Sequence, residues 1–401
     1  MTTAGFDSQR LAQVAALADR YVADGKLAGA QVQVAHRSEV ALRHTVGRAD
    51  VASDRPLGDD AIYRIYSMTK PITSIALMQL YEQGRVLLED PVSDYIPAFA
   101  DMQVFLGGTP TDPQLRPAQT VMTVKDVLTH ASGLTYGFFF QNNVDAMYRE
   151  DGLGNFQLPG YTLEEGMERL GAKPLVFDPG TAWNYSMSTD VCGRLVEVIS
   201  GMGLDAYFAE HVTGPLGMVD TAFHVPAEKA ERFTSNYAVT PSDPLMTVDR
   251  FDASPYLSPP VFLSGGGGLV GTVDDYQRFV DMLLNGGELD GQRIIGRKTL
   301  EYMTLNHLPE GKTLNELGQS LFSEAAMDGM GFGLGFSSLV DPARNGAMSS
   351  FGEFAWGGAA STAFWVDPVE EVTCVFMTQV MPSSFYPLRR ELKATVYQAL
   401  R

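Results

Sequence analysis

Apolar positions along the chain follow two periods, and the change from one to the other divides it into segments. Leu11, Val14, Ala15, Leu17, Ala18, Tyr21 and Val22 recur at helical spacing behind Asp7 and Ser8, so an amphipathic helix capped by one of these two is expected over 7–23. Ala30-Gln31-Val32-Gln33-Val34 then alternates, Arg37-Ser38-Glu39 can turn, and residues 40–47 return, which predicts a hairpin. Ile72, Ile75, Ala76 and Leu80 restore the helical period, with Pro71 near the start and Gly84 as the stop. From about 89 to 254 the signals are mostly helical with long polar loops: near 123–129, 160–171 behind Thr162, 190–200, and just before Pro215. After Gly265–Gly268 comes a helix capped by Thr272 that runs through Phe279 and Leu283. Strands over 361–366 and 372–378, separated by a turn at Asp367-Pro368, lead to a last helix over about 388–400.

Strands near both ends of the chain, with helices beside them, imply an α+β fold: one antiparallel sheet flanked by helices, with a mainly helical subdomain inserted. The expected division is 1–88 with 255–401 for the sheet unit, and 89–254 for the insert. A chain of 401 residues, 45% of them hydrophobic, can bury the core that such a plan needs.

Charge narrows the partners. A formal net charge of −19 argues against nucleic acid and against an anionic membrane surface, and favours a small, neutral substrate. The first ten residues have no basic and apolar signal pattern and no run is long enough to span a membrane, so a cytoplasmic protein is expected. Cys192 and Cys374 are far apart among apolar neighbours and read as buried free thiols. The six histidines show no zinc-type spacing, so neither a metal nor another cofactor is assigned. The four glycines are not followed by Gly-Lys-Ser/Thr, which argues against a phosphate cradle and for close backbone approach.

The candidate chemistry begins at Ser67-Met68-Thr69-Lys70. At i and i+3 the hydroxyl and amine share one face at a helix start, where free N–H groups and the positive dipole end suit a nucleophile and its oxyanion. The motif alone is weak, and Ser67 as a simple cap with Lys70 as a solvated charge is the competing reading. Acyl transfer also needs a second proton carrier and a second oxyanion donor. Tyr185, after the turn at Asp178-Pro179-Gly180, is a candidate for the first, although a packed aromatic is its plainer reading. Trp356-Gly357-Gly358-Ala359, expected to precede a strand, is a candidate for the second.

With these residues in order, the sequence resembles the serine β-lactamase and penicillin-binding-protein superfamily, and most closely its class C-like esterases, the family VIII carboxylesterases. The resemblance rests on Ser67-Met68-Thr69-Lys70, Leu128-Thr129-His130-Ala131-Ser132-Gly133-Leu134, Pro179-Gly180 leading to Tyr185-Ser186, Pro215-Leu216-Gly217-Met218, the glycine run with Leu269, and Trp356-Gly357-Gly358. It implies an antiparallel sheet covered by helices, a helical subdomain, and a site between them. It further implies Ser67 as nucleophile, Lys70 as adjacent base, Tyr185 as proton relay, and the backbone N–H groups of Ser67 and Ala359 as oxyanion hole. Trp356, Gly357 and Gly358 would bind substrate, and His130 would be structural. Two departures stand out: Met187 replaces the asparagine of Tyr-Ser-Asn, and Trp356-Gly357-Gly358 replaces Lys-Thr-Gly. Both remove groups that serve β-lactam recognition, so the expectation is a serine carboxylesterase for short-chain acyl esters. A β-lactamase or D,D-peptidase, an acyltransferase, and an inactive binding protein on the same fold are the alternatives. Lysine and tyrosine, with ordinary pKa values of about 10.4 and 10, must be perturbed to act as bases near neutrality, and which of the two takes the proton stays open.

Overall fold

A computed structural model describes residues 2–156, 158–318 and 328–401. Helix α1 (Ser8–Ala23) is capped by the Asp7 carboxylate, which accepts from the N–H groups of Gln9 and Arg10. It leads into the hairpin of β1 (Gly29–His36) and β2 (Glu39–Asp50), with the short β3 (Arg55–Pro56) beyond. The next elements that frame the site are α2 (Thr69–Glu82), α3 (Ser188–Ser200) and α4 (Val273–Leu284). The chain then returns through β4 (Met330–Phe332), β5 (Ser337–Leu339), β6 (Phe354–Gly357), β7 (Ala363–Asp367) and β8 (Val372–Met377), and finishes in α5 (Leu388–Tyr397).

These strands form one antiparallel sheet in the order β4-β5-β6-β7-β8-β1-β2-β3, so chain segments far apart in sequence meet where β8 pairs with β1. Side-chain alternation sends the two faces into different cores. Val32, Val34, Trp365, Cys374 and Phe376 pack with α1 and α5. Phe364 and Val375 face α4 and the larger core that also holds α2. With both faces covered, every residue of β8 is buried and the strand reads as an unbroken apolar run. Both cysteines are buried free thiols.

Three departures from the sequence pattern bear on the site and its surroundings. Within the stretch expected to be mainly helical, Gln103–Thr109 and Asp112–Pro117 form an antiparallel hairpin. Most of its residues are partly or fully exposed, so no apolar alternation announces it. The strand β6 also went unrecognised: Trp356 and Gly357 lie inside it, whereas a strand was expected only after Ala359. Thirdly, α2 is buried all round from Thr69 to Leu80, not along a single stripe, because it runs through the middle of the larger core. Among the described residues no helix is long and apolar enough to cross a membrane.

Candidate active site

Ser67 lies in a 3-10 turn, Tyr66–Met68, that feeds directly into α2. The residue before it, Tyr66, has φ of +43°, a left-handed conformation that costs a non-glycine residue about 1–3 kcal/mol and must be held by its surroundings. Long-range bonds hold it. The Ile65 N–H donates to the Leu269 carbonyl (3.1 Å), the Leu269 N–H to Thr69 Oγ1 (3.1 Å), and the Tyr276 hydroxyl to the Met68 carbonyl (2.9 Å). Asn236 Nδ2 donates to the Tyr66 hydroxyl (3.0 Å), whose pKa burial pushes up to about 12.

On this turn Ser67 Oγ receives two hydrogen bonds, from Lys70 Nζ at 3.2 Å and from the Tyr185 hydroxyl at 2.6 Å. Lys70 Nζ also donates to the Gly266 carbonyl (2.6 Å) and stands 4.6 Å from the centre of the Tyr185 ring. The glycine run thus supplies close backbone approach: Gly266 binds Lys70 through its carbonyl and donates its N–H to Asp190 Oδ1 (3.0 Å). The Asp190 carboxyl also accepts from Ser264 Oγ (2.6 Å), and burial raises its pKa, partly offset by that hydroxyl and by the Lys70 charge. Sequence reasoning used Asp190 only as a helix start. The available signal was its place in the first turn of α3, five residues after Tyr185.

Tyr185 is held in place by the 130–135 segment. The Asn184 N–H donates to the His130 carbonyl (3.0 Å), Asn184 Nδ2 to the Leu134 carbonyl (2.9 Å), and the Met187 N–H to the Thr135 carbonyl (3.2 Å). Gly133 adopts φ of +81°, and a Cβ there would lie 2.3 Å from the Phe177 carbonyl oxygen, so only glycine lets these two segments meet. His130 is buried, bonds through Nδ1 to Ser186 Oγ (3.2 Å), and packs edge-on against Tyr185 with ring centres 5.0 Å apart. Burial, helped by the Lys70 charge, holds its pKa well below the usual histidine range and keeps the ring neutral. Among the described residues Ser67 Oγ bonds to Lys70 and Tyr185, and His130 bonds to Ser186.

Ser67 and Ala359 line the same cavity, of about 80 Å³. Ala359 is brought there because β6 runs up against the serine turn: a Cβ on Gly358 would meet the Ile65 carbonyl oxygen at 2.5 Å. The cavity walls are largely aromatic, including Tyr136, Phe138, Phe156, Tyr161 and Phe262, and among the described residues that line it only Asp190 has a carboxyl or cationic side chain. Sequence reasoning missed these aromatics, since no short motif marks them. A second, more open lobe of about 210 Å³ shares Phe138, Phe156 and Ala359 with the first. Trp356 is not in either wall. Its indole is 2% exposed and packs against Tyr185 (5.4 Å) and Phe332 (5.3 Å), and its Nε1 has no hydrogen-bond partner among the described residues. The structure therefore places the Trp356 indole behind Tyr185, and a Cβ on Gly357 would meet the Arg389 guanidinium at 2.3 Å. Met187 does line the cavity.

The beta-lactamase family model matches residues 14–398 of the sequence. The chain belongs to the beta-lactamase family. Protein Rv1367c of Mycobacterium tuberculosis is 33% identical over 365 residues, covering 89% of this chain and 87% of that one. Esterase EstB of Burkholderia gladioli is 29% identical over 404 residues, covering 96% and 95%. Among solved structures, EstCE1, described as a hydrolase with promiscuous acyltransferase activity, superposes with a TM-score of 0.82 at 24% identity, covering 97% of this chain and 99% of that chain. That likeness confirms the serine β-lactamase-like α+β fold.

Proposed function

We propose that the protein is a serine carboxylesterase that cleaves short-chain, uncharged acyl esters through an acyl-enzyme on Ser67. The observation that carries this reading is the pair of hydrogen bonds converging on Ser67 Oγ from Lys70 and Tyr185. As Oγ attacks the ester carbonyl, its proton passes to the Lys70–Tyr185 pair, which returns it to the departing alkoxide. The same pair then takes a proton from water for deacylation. The N–H groups of Ser67 and Ala359 bind the oxyanion. The likeness to esterase EstB supports an ester substrate.

Cavity size and charge support the substrate class. The lobe beside Ser67 is small and apolar, which suits a short acyl chain, and its larger neighbour suits the alcohol. Among the described residues that line the two lobes none is a cation, so a substrate carboxylate away from Lys70 would meet Asp190 and the protein's own negative charge. This disfavours β-lactams and peptidoglycan peptides. Acyl transfer to an alcohol is a second reading, favoured by the aromatic walls, which would shield an acyl-enzyme from water. Mass spectrometry of the protein mixed with a panel of activated esters tests the proposal: a mass increase equal to the acyl group, mapped to Ser67, is expected. Labelling at Ser132 or Ser264 instead, or faster turnover of cephalosporins than of simple esters, would sink it.

A further inference from the structure

Beneath β6, on the face away from the Trp356 indole, lies another cavity, of about 140 Å³. Its apolar wall comes from Met330, Ala355, Ala363 and Trp365 of the sheet, with Met348 at one side. Its other wall is α5, which contributes Arg389, Arg390 and Lys393. Among the described residues no aspartate or glutamate lines it, in a protein of net charge −19. Lys393 is answered by the buried Glu353. Arg390 is exposed, donates to the Asn345 carbonyl at 3.3 Å, and makes no ion pair among the described residues. Arg389 and Arg390 occupy the first turn of α5, where the positive end of the helix adds to their charge instead of offsetting it.

We propose that this cavity binds a small amphipathic carboxylate. Its anionic group would sit on Arg390 and the first turn of α5, and its apolar part on the Trp365 indole. A cavity near 150 Å³ holds one benzene-sized group, which limits the apolar part to a single ring or a short chain. Paired N–H donors of arginine suit a carboxylate better than a neutral polar group.

Occupancy reaches the reacting centre through Arg389. Its Nη2 donates to the carbonyls of Gly358 (3.1 Å) and Thr362 (2.7 Å), the two residues that bracket the Ala359 turn. A carboxylate beside that guanidinium competes with both carbonyls and shifts the turn. This coupling rests on the reading of Ala359 as an oxyanion donor, whereas the binding itself does not.

The test uses benzoate as the probe and benzyl alcohol as its neutral counterpart. Binding is followed by calorimetry and by tryptophan emission, since the Trp365 indole lines the cavity. The wild type should bind benzoate saturably and benzyl alcohol at least about tenfold more weakly. Arg390→Glu and Ala394→Glu both place a negative charge at the rim, and each should weaken benzoate at least about tenfold while leaving ester turnover without benzoate unchanged. Benzoate should change kcat and leave KM in place. No saturable binding, or equal benzoate affinity in the wild type and both variants, overturns the site. Saturable binding with kcat unmoved overturns the coupling. Failure of the esterase reading would show as absent acylation of Ser67 and would leave the calorimetry to decide the site by itself.

Discussion

Tyr185 touches two buried hydrogen-bonded clusters made of nearly the same parts. In one, Ser67 meets Lys70 and the Tyr185 hydroxyl. In the other, His130 meets Ser186, whose hydroxyl is 2.7 Å from Ser188 Oγ, which in turn is 2.7 Å from Ser132 Oγ. By residue type the second cluster is the more conventional place for a nucleophilic serine. It is closed, however: Ser132, Ser186 and Ser188 are fully buried, whereas Ser67 opens onto a cavity that Ala359 also lines. A base near a hydroxyl is therefore common to both clusters. In the mechanism proposed for Ser67, access and the Ala359 N–H would make the difference.

Removing Ser67 tests that contrast most severely. Ser67→Ala should lower kcat for ester hydrolysis by about 10⁴-fold or more, while the melting temperature stays within a few degrees of wild type. An active Ser67→Ala protein would hand the chemistry to the second cluster. Next come Lys70→Met and Tyr185→Phe, each expected to cost about 10³-fold in kcat, with the double variant little worse than either, because groups that act as a unit are not additive. Fully additive losses in a double-mutant cycle would mean two independent roles.

His130→Asn should move the other quantity. It should destabilise the fold by about 1–3 kcal/mol and change kcat by less than about tenfold. Because the native pKa of His130 is depressed, the folded protein binds fewer protons than the unfolded chain below the ordinary histidine pKa of about 6.5. The stability this contributes is complete above that pH and drains away as pH falls toward the native value. Denaturant titrations of His130→Asn should therefore show a flatter acid limb below about pH 6.5. A limb as steep as wild type would remove His130 as its cause. The smallest effect is expected from Trp356→Phe, which deletes a buried N–H that has no partner among the described residues. Stability should change by less than about 1 kcal/mol, and kcat by a few-fold through looser support of Tyr185. A selective rise in KM for neutral esters would instead return Trp356 to the cavity wall.

The parts of this arrangement that were legible in sequence are those with local causes. Pro71 and the apolar spacing behind it placed Ser67 at a helix entry, and Thr162 announced a helix that its side chain does cap, accepting from the Glu165 N–H (3.2 Å). Strands with apolar runs or clean alternation, such as β1 and β8, were legible for the same reason. What was hidden depends on distant partners. Asp190 is a site residue only because Gly266 lies beside it, 76 positions away. Trp356 looked like a contact for substrate because its strand could not be seen, and the pleat of β6 turns the indole toward Phe332 and Tyr185. Arg389 reads as an ordinary surface cation until β6 and the Ala359 turn are folded against it.

The pairing of β1 with β8 also sets the order of events during synthesis. At about 5–20 residues per second, the ribosome needs on the order of 17–67 seconds to make the roughly 335 residues that separate the two strands. Until β8 is made, any hairpin that β1 and β2 form has an open edge, whose unpaired N–H and carbonyl groups invite pairing with other chains. The nascent protein is thus most exposed to aggregation before its sheet can close, and a chaperone that covers β1 should raise the yield of active enzyme more than one that acts on the completed chain.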